Sequence, residues 1–179
     1  MNITSFLSYI RYEKRYSTHT ITAYKNDLEQ FSKFILNQYE INKAQEVERI
    51  YIRAWVVELI EETLEPASIH RKISTIKAFF KYLQEKKTIN QNPTQDIPLP
   101  KIIKHKPVYI NERQLSMLFN EVEFDDNFKG RQEKLILDIL YSTGMRRSEL
   151  INLTIKQVNL KKLQINIIGK GNKERILPI

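Results

Sequence analysis

Along the first half of the chain, apolar residues recur every three or four positions and mark out successive amphipathic helices. Ile3, Phe6, Leu7 and Ile10 share one face within residues 2 to 14, where Asn2 or Thr4 is available as a cap. A second run, Ile21, Tyr24, Leu28, Phe31 and Ile35, predicts a helix from about Thr18 to Gln38. Val47 to Glu62 carries Ile52, Trp55, Val56, Leu59 and Ile60 at the same spacing, a third helix. Pro66 suits the first turn of a fourth, with Ile69, Ile73, Ile76, Phe79, Phe80 and Leu83 turned inward. Four helices with short connections predict a compact bundle, and its many aromatic rings belong to the core.

The period then dissolves. Residues 91–107 hold four prolines and no helical pattern, so they read as an extended connector, made basic by Lys101, Lys104 and Lys106. Beyond it Asn111 caps a helix with Leu115, Leu118, Phe119 and Val122 inward. Gly130 to Ser142 forms the next helix, and Gly144 punctuates a tight corner into another apolar run, Leu150, Ile151 and Leu153. Finally the period switches to two: Leu163, Ile165 and Ile167 alternate with Gln164 and Asn166. The run GKGNK then supplies a turn and residues 175–179 resume an extended pattern, together a β-hairpin. No internal repeat is visible.

Charge changes this picture more than composition does. A hydrophobic content of 41% is ordinary for a folded chain, but 29 Lys and Arg against 21 Asp and Glu leave a net charge of +8, which points to a polyanionic partner. In the fourth helix His70, Arg71, Lys72, Lys77 and Lys81 gather positive charge on one side, while Glu58, Glu61, Glu62 and Glu65 sit on an earlier element. Such segregation predicts a DNA-facing surface that holds phosphates without reading sequence, with Arg71, Lys72 and Lys77 as contacts, the plain alternative being a solvated helix face. The chain has no cysteine, which excludes disulfides and thiolate zinc sites and agrees with a cytoplasmic setting. Its first residues are too short in apolar run for a signal peptide, and no stretch approaches membrane-spanning length.

The corner S142-TGMRRSE-L150 carries candidate chemistry. Two arginines at a helix start oppose the positive end of the helix dipole, a conflict that a bound anion would remove by taking both the exposed N–H groups and a guanidinium fork. Solvated surface arginines are the plain alternative. Arg146, Glu149, Leu150 and Leu153 fall at i, i+3, i+4 and i+7, which turns Arg146 inward and lets Glu149 hold it, while Arg147 points elsewhere. The hairpin tip carries Lys170, Lys173 and Arg175, any of which could follow a DNA groove, and a lysine there could protonate a leaving oxygen.

A corner reading TG, one apolar residue, Arg, then SEL, followed after a short strand by GKGNKER, resembles the tyrosine recombinase (phage integrase, Xer-type) family. Ser17 to Phe31, STHTITAYKNDLEQF, resembles the first block of that family's DNA-grasping domain. The resemblance implies a mainly α fold. Residues 1–90 would be an N-terminal four-helix (SAM-like) core-binding domain, 91–107 a basic proline-rich linker, and 108–179 the start of an α+β catalytic domain with a β-hairpin. It makes Arg146 the first catalytic arginine, Glu149 its support and Lys170 the catalytic lysine, while the hairpin's Lys173 and Arg175 are read from their charge as DNA contacts. It implies metal-free, cofactor-free phosphoryl transfer through a 3′-phosphotyrosyl intermediate, on double-stranded DNA, with other recombinase protomers in a tetrameric synapse.

The family continues with an HxxR motif, a His or Trp and the nucleophilic Tyr, whereas the sequence stops at Ile179, and His19, His70 and His105 all precede Arg146. The expectation is therefore a stretch that binds DNA without reacting, with apolar faces of its second domain uncovered. Two competing classes stay open, a non-catalytic DNA-binding module that occupies recombination sites and a helical interaction protein whose charge is incidental.

Overall fold

A computed structural model describes residues 2–103, 108–169 and 173–179. The chain divides into two compact units, residues 1–106 and 107–179.

In the first unit, α1 (Ile3–Tyr12) is capped by Asn2, whose Oδ1 accepts from the Ser5 N–H, and α2 (Thr18–Tyr39) by the Ser17 hydroxyl, which accepts from the Thr20 N–H. A single 3-10 turn, Ala44–Glu46, precedes α3 (Arg49–Glu61), so that helix starts later than its apolar run. The reason lies in Ala44 and Val47, which are buried from the turn itself. Pro66 opens α4 (Pro66–Glu85), where a missing N–H leaves no bond unmade. The core joins Phe6 of α1, Leu28 and Phe31 of α2, Ile52 and Trp55 of α3, and Ile69, Ile73, Ile76, Phe79 and Phe80 of α4. Phe79 meets Phe6 and Phe80 edge-on, each with ring centroids 5.4 Å apart, the geometry ring quadrupoles favour. Ile60, expected inward, is exposed on α3.

The proline-rich stretch forms no helix or strand among its described residues, yet it is not a free connector. Ile97 is buried in the helical core, as is Ile89 just before the stretch, and Leu99 packs against that core. Arg49 Nη2 donates to the Asp96 carbonyl at 2.6 Å, and His70 Nε2 lies 2.9 Å from the Pro100 carbonyl oxygen. One isoleucine among prolines gives no periodic signal, but it can still seat in a gap between helices. Lys104 and Lys106 lie outside the described residues.

The second unit begins with α5 (Glu112–Asn120), where Asn111 and Gln114 cap each other's backbone N–H at 2.9 and 3.0 Å. Next comes α6 (Phe128–Thr143), capped by Asn127, two residues before the expected start. Gly130 sits on its first turn because a Cβ would fall 2.1 Å from the Asp125 carbonyl oxygen. Gly144 ends α6 in the left-handed region at φ 59°, where glycine has no Cβ to clash. After α7 (Arg147–Ile151) come β1 (Val158–Asn159), β2 (Gln164–Ile168) and β3 (Glu174–Pro178), an antiparallel sheet in that order. Val158 pairs with Ile165, and Ile165 and Ile167 pair with Leu177 and Arg175. Ile165 and Ile167 are buried as their alternation predicts, but Leu163 is an exposed turn residue at φ 51° rather than strand. Only Met145, Ile165 and Ile167 form the buried apolar cluster among this unit's described residues, and Leu135, Tyr141, Ile151 and Ile155 stand exposed. No helix among the described residues is long and apolar enough to cross a membrane.

Candidate nucleic-acid interface

The corner after Gly144 is pinned by Met145, whose side chain is buried in the second unit's cluster. Arg146 follows with extended backbone, φ −74° and ψ 149°, so it stands at the cap of α7 rather than inside it. Its backbone N–H donates to Glu149 Oε2 at 2.7 Å, and its guanidinium Nη1 donates to Glu149 Oε1 at 2.8 Å. The expected partnership exists with its burial reversed. Glu149 is the group turned inward, its side chain 6% exposed, while Arg146 is 56% exposed. A carboxylate loses less by burial when each oxygen accepts a charge-assisted bond, and the cation it holds is left facing outward.

Arg175 completes the arrangement from β3. Its Nη2 donates to Glu149 Oε2 at 2.9 Å, and its Nε is buried with no acceptor among the described residues. Glu149 thus receives two guanidinium groups, one from the helix corner and one from the hairpin. Arg175, expected as a DNA contact at the tip, is drawn back to this carboxylate. Gly169 brings β2 against the same pair: a Cβ there would lie 3.3 Å from Glu149 Oε1 and 3.8 Å from Arg146 Nη1. The Gly169 N–H donates to the Lys173 carbonyl at 2.7 Å and closes the base of the turn. Lys170, the residue after Gly169, lies outside the described residues. Lys173 and Arg147 are exposed. The Arg146 N–H bond holds the Glu149 carboxyl below the usual carboxylate range against the opposing effect of burial, helped by the Arg146 guanidinium and the Arg175 charge.

A second constellation, in the first unit, was not foreseen. Asp27 of α2 is buried, and four donations converge on it from α4. Arg71 Nη1 and Thr75 Oγ1 reach Oδ2, the latter at 2.9 Å, while Arg71 Nη2 and Lys72 Nζ reach Oδ1 at 3.0 and 3.3 Å. Lys72 also donates to Gln30 Oε1. Hence the cationic face expected on α4 is divided: Arg71 and Lys77 are exposed, but Lys72 is sunk in the unit and its ammonium faces Asp27. The available signal was Asp27 itself, a carboxylate at helical spacing among Tyr24, Leu28 and Phe31 on an otherwise apolar face.

Comparison with known proteins places both units in one family. Residues 3–87 match the phage integrase N-terminal SAM-like domain, and residues 109–179 match the phage integrase family. Among relatives, the tyrosine recombinase XerC of Thermodesulfovibrio yellowstonii is 37% identical over 177 residues, covering 99% of this chain and 57% of that protein. XerD of Shewanella oneidensis is 34% identical over 177 residues, covering 99% of this chain and 58% of its own length. The chain therefore spans somewhat under three fifths of these relatives. Among solved structures, a lambda integrase (75-356) dimer bound to a COC′ core site aligns with a TM-score of 0.75 at 13% identity, covering 98% of this chain and 58% of that one. The Tn1549 transposon integrase in complex with circular intermediate DNA aligns at 0.66 and 18%, covering 96% and 58%. At such identities these two speak for the fold alone, but with both family models and the recombinase relatives the assignment is direct: the chain belongs to the phage integrase family of tyrosine recombinases.

Proposed function

We propose that the protein carrying this chain is a site-specific tyrosine recombinase. Residues 1–90 would grasp duplex DNA, 91–107 join the lobes, and 108–179 begin the catalytic domain. The observation that carries the reading is the outward guanidinium of Arg146, fixed by the sunken Glu149 beside the base of the hairpin at Gly169. In that role Arg146 donates to the non-bridging oxygens of the scissile phosphate, where negative charge accumulates as the bond breaks. Lys170, next along the hairpin, would protonate the departing 5′ oxygen. The attacking group would be a tyrosine hydroxyl from the family's downstream motif, giving a 3′-phosphotyrosyl bond that conserves the energy of the broken linkage until a partner strand attacks. Removal of one such phosphate donor costs about a hundred- to a thousandfold in rate.

Double-stranded DNA is the partner, with other protomers of the same enzyme in the synapse, in the cytoplasm. Retention of the Arg146–Glu149–Arg175 arrangement favours an enzyme over a module that merely occupies recombination sites, since occupancy needs no preset phosphate clamp. The test has two parts. Duplex affinity of the chain should fall steeply with salt. A nicked suicide duplex should yield no covalent band on a denaturing gel, since these residues hold no match to the family's nucleophile position. Salt-independent or absent DNA binding overturns the proposal, and an adduct overturns the assignment of the nucleophile.

A further inference from the structure

The Asp27 cluster holds one carboxylate and two cations. A structural tie between α2 and α4 would need one of each, and burying a second cation carries a desolvation cost. The exposures show how the excess is disposed: the Asp27 side chain is 2% exposed, Lys72 9% and Arg71 50%. The carboxylate cannot neutralise both partners, so the cluster keeps a unit of positive charge. Its main route to solvent is the Arg71 guanidinium. That guanidinium is also immobilised, because both terminal nitrogens donate to the two oxygens of Asp27. Thr75, bonded to Asp27 and to the Arg71 carbonyl, fixes the carboxylate in turn. Among the described residues Arg71 has no other acceptor, which leaves its remaining N–H groups for something outside the unit.

We propose that Asp27 is a positioning residue that sets Arg71 as a rigid fork for a DNA backbone phosphodiester, and that buried Lys72 keeps the fork from being neutralised by the carboxylate that holds it. The inference rests on the DNA-binding reading above and adds to it the groups that orient the contact. A phosphodiester matches the fork because it offers two acceptor oxygens and one negative charge, equal to the charge the cluster has left over. Prior ordering matters because a free arginine loses rotamer freedom on binding, and this one has already lost it on folding.

The discriminating variant is Asp27→Asn. It removes a negative charge, so overall electrostatics alone predicts tighter DNA binding. Positioning predicts the reverse, because an amide offers one acceptor oxygen where four donors meet, and the guanidinium is released. Fluorescence anisotropy of the whole chain with a labelled duplex, over a series of sodium chloride concentrations, reads both affinity and salt slope. D27N is expected to bind about tenfold more weakly, the loss of one charge-assisted contact, with the slope of log affinity against log salt shallower by about 0.9, one phosphate.

Arg71→Lys, at a half-exposed position, keeps the charge but not the fork, and is also expected to lose about tenfold. Circular dichroism melts accompany both, and if D27N does not fold, R71K carries the test. Folded D27N binding as tightly as the unaltered chain or more so, or R71K binding like the unaltered chain, overturns the inference and leaves the DNA reading standing. An unaltered chain without salt-dependent duplex affinity overturns both.

Discussion

Gly169 is where the hairpin passes the clamp of Glu149 on Arg146, and its substitution tests whether that clamp is as closely built as the distances say. An alanine Cβ would stand 3.3 Å from Glu149 Oε1 and 3.5 Å from the Lys173 carbonyl oxygen, so the carboxylate must yield by a few tenths of an ångström. The Arg146 Nη1 to Glu149 Oε1 bond of 2.8 Å then lengthens to about 3.1 Å, still within hydrogen-bonding range. Gly169→Ala therefore keeps the clamp. Valine differs, because its two methyls fill two of three staggered positions and cannot both avoid the carboxylate and the carbonyl. Gly169→Val should push Glu149 off Arg146.

The readout is the pH titration of the Glu149 side chain by carbon-detected NMR. In the unaltered chain its midpoint lies below the ordinary glutamate value, chiefly because the Arg146 N–H bonds the charged form. A carboxyl whose pKa is lowered on folding stabilises the fold fully above its unfolded pKa. That contribution fades as pH falls through the depressed folded value. G169A should titrate below the ordinary value as well, and G169V should return toward it. A Glu149 midpoint at or above the ordinary value in the unaltered chain, or an unchanged midpoint in G169V, would refute the reasoning.

Two further predictions concern the first unit. Phe79 is fully buried between Phe6 and Phe80, so Phe79→Ala should cost about 3–5 kcal/mol, read as a lowered urea midpoint. A loss below about 1 kcal/mol would mean the rings do not pack as described. Ile97 anchors the proline-rich stretch in the helical core, and Ile97→Ala should cost about 2–4 kcal/mol. An unchanged midpoint would return that stretch to the status of a free connector.

Much of the fold was legible because local chemistry and tertiary packing agree. Asn2, Pro66, Asn111 and Gly144 cap or open helices where the sequence places them, since each acts on backbone groups within one turn. What escaped depends on partners distant in sequence. β1 is two residues long and shows no alternation of its own. Helical spacing put Arg146 and Glu149 on one face, but which of the two is sunk depends on Arg175, 26 positions away from Glu149. Lys72 reads as a surface lysine until Asp27 is known to face it from 45 positions upstream. Buried charge is invisible to a hydropathy pattern because the compensating charge lies on another element.

Those two surprises share one construction. Each unit sinks one carboxylate, Asp27 or Glu149, beneath two cations and leaves at least one guanidinium half in solvent. The net charge of +8 would attract DNA however it were distributed. An exposed lysine such as Lys77 contributes to that attraction by releasing counterions, and it does so in almost any orientation. Arg71 and Arg146 differ because their angles are set by the carboxylates that hold them. On the proposed reading, long-range charge would govern how often DNA meets the chain, while the two carboxylates would govern where a phosphate must lie once it has, and only this second property could bring one phosphodiester into register with a reacting group.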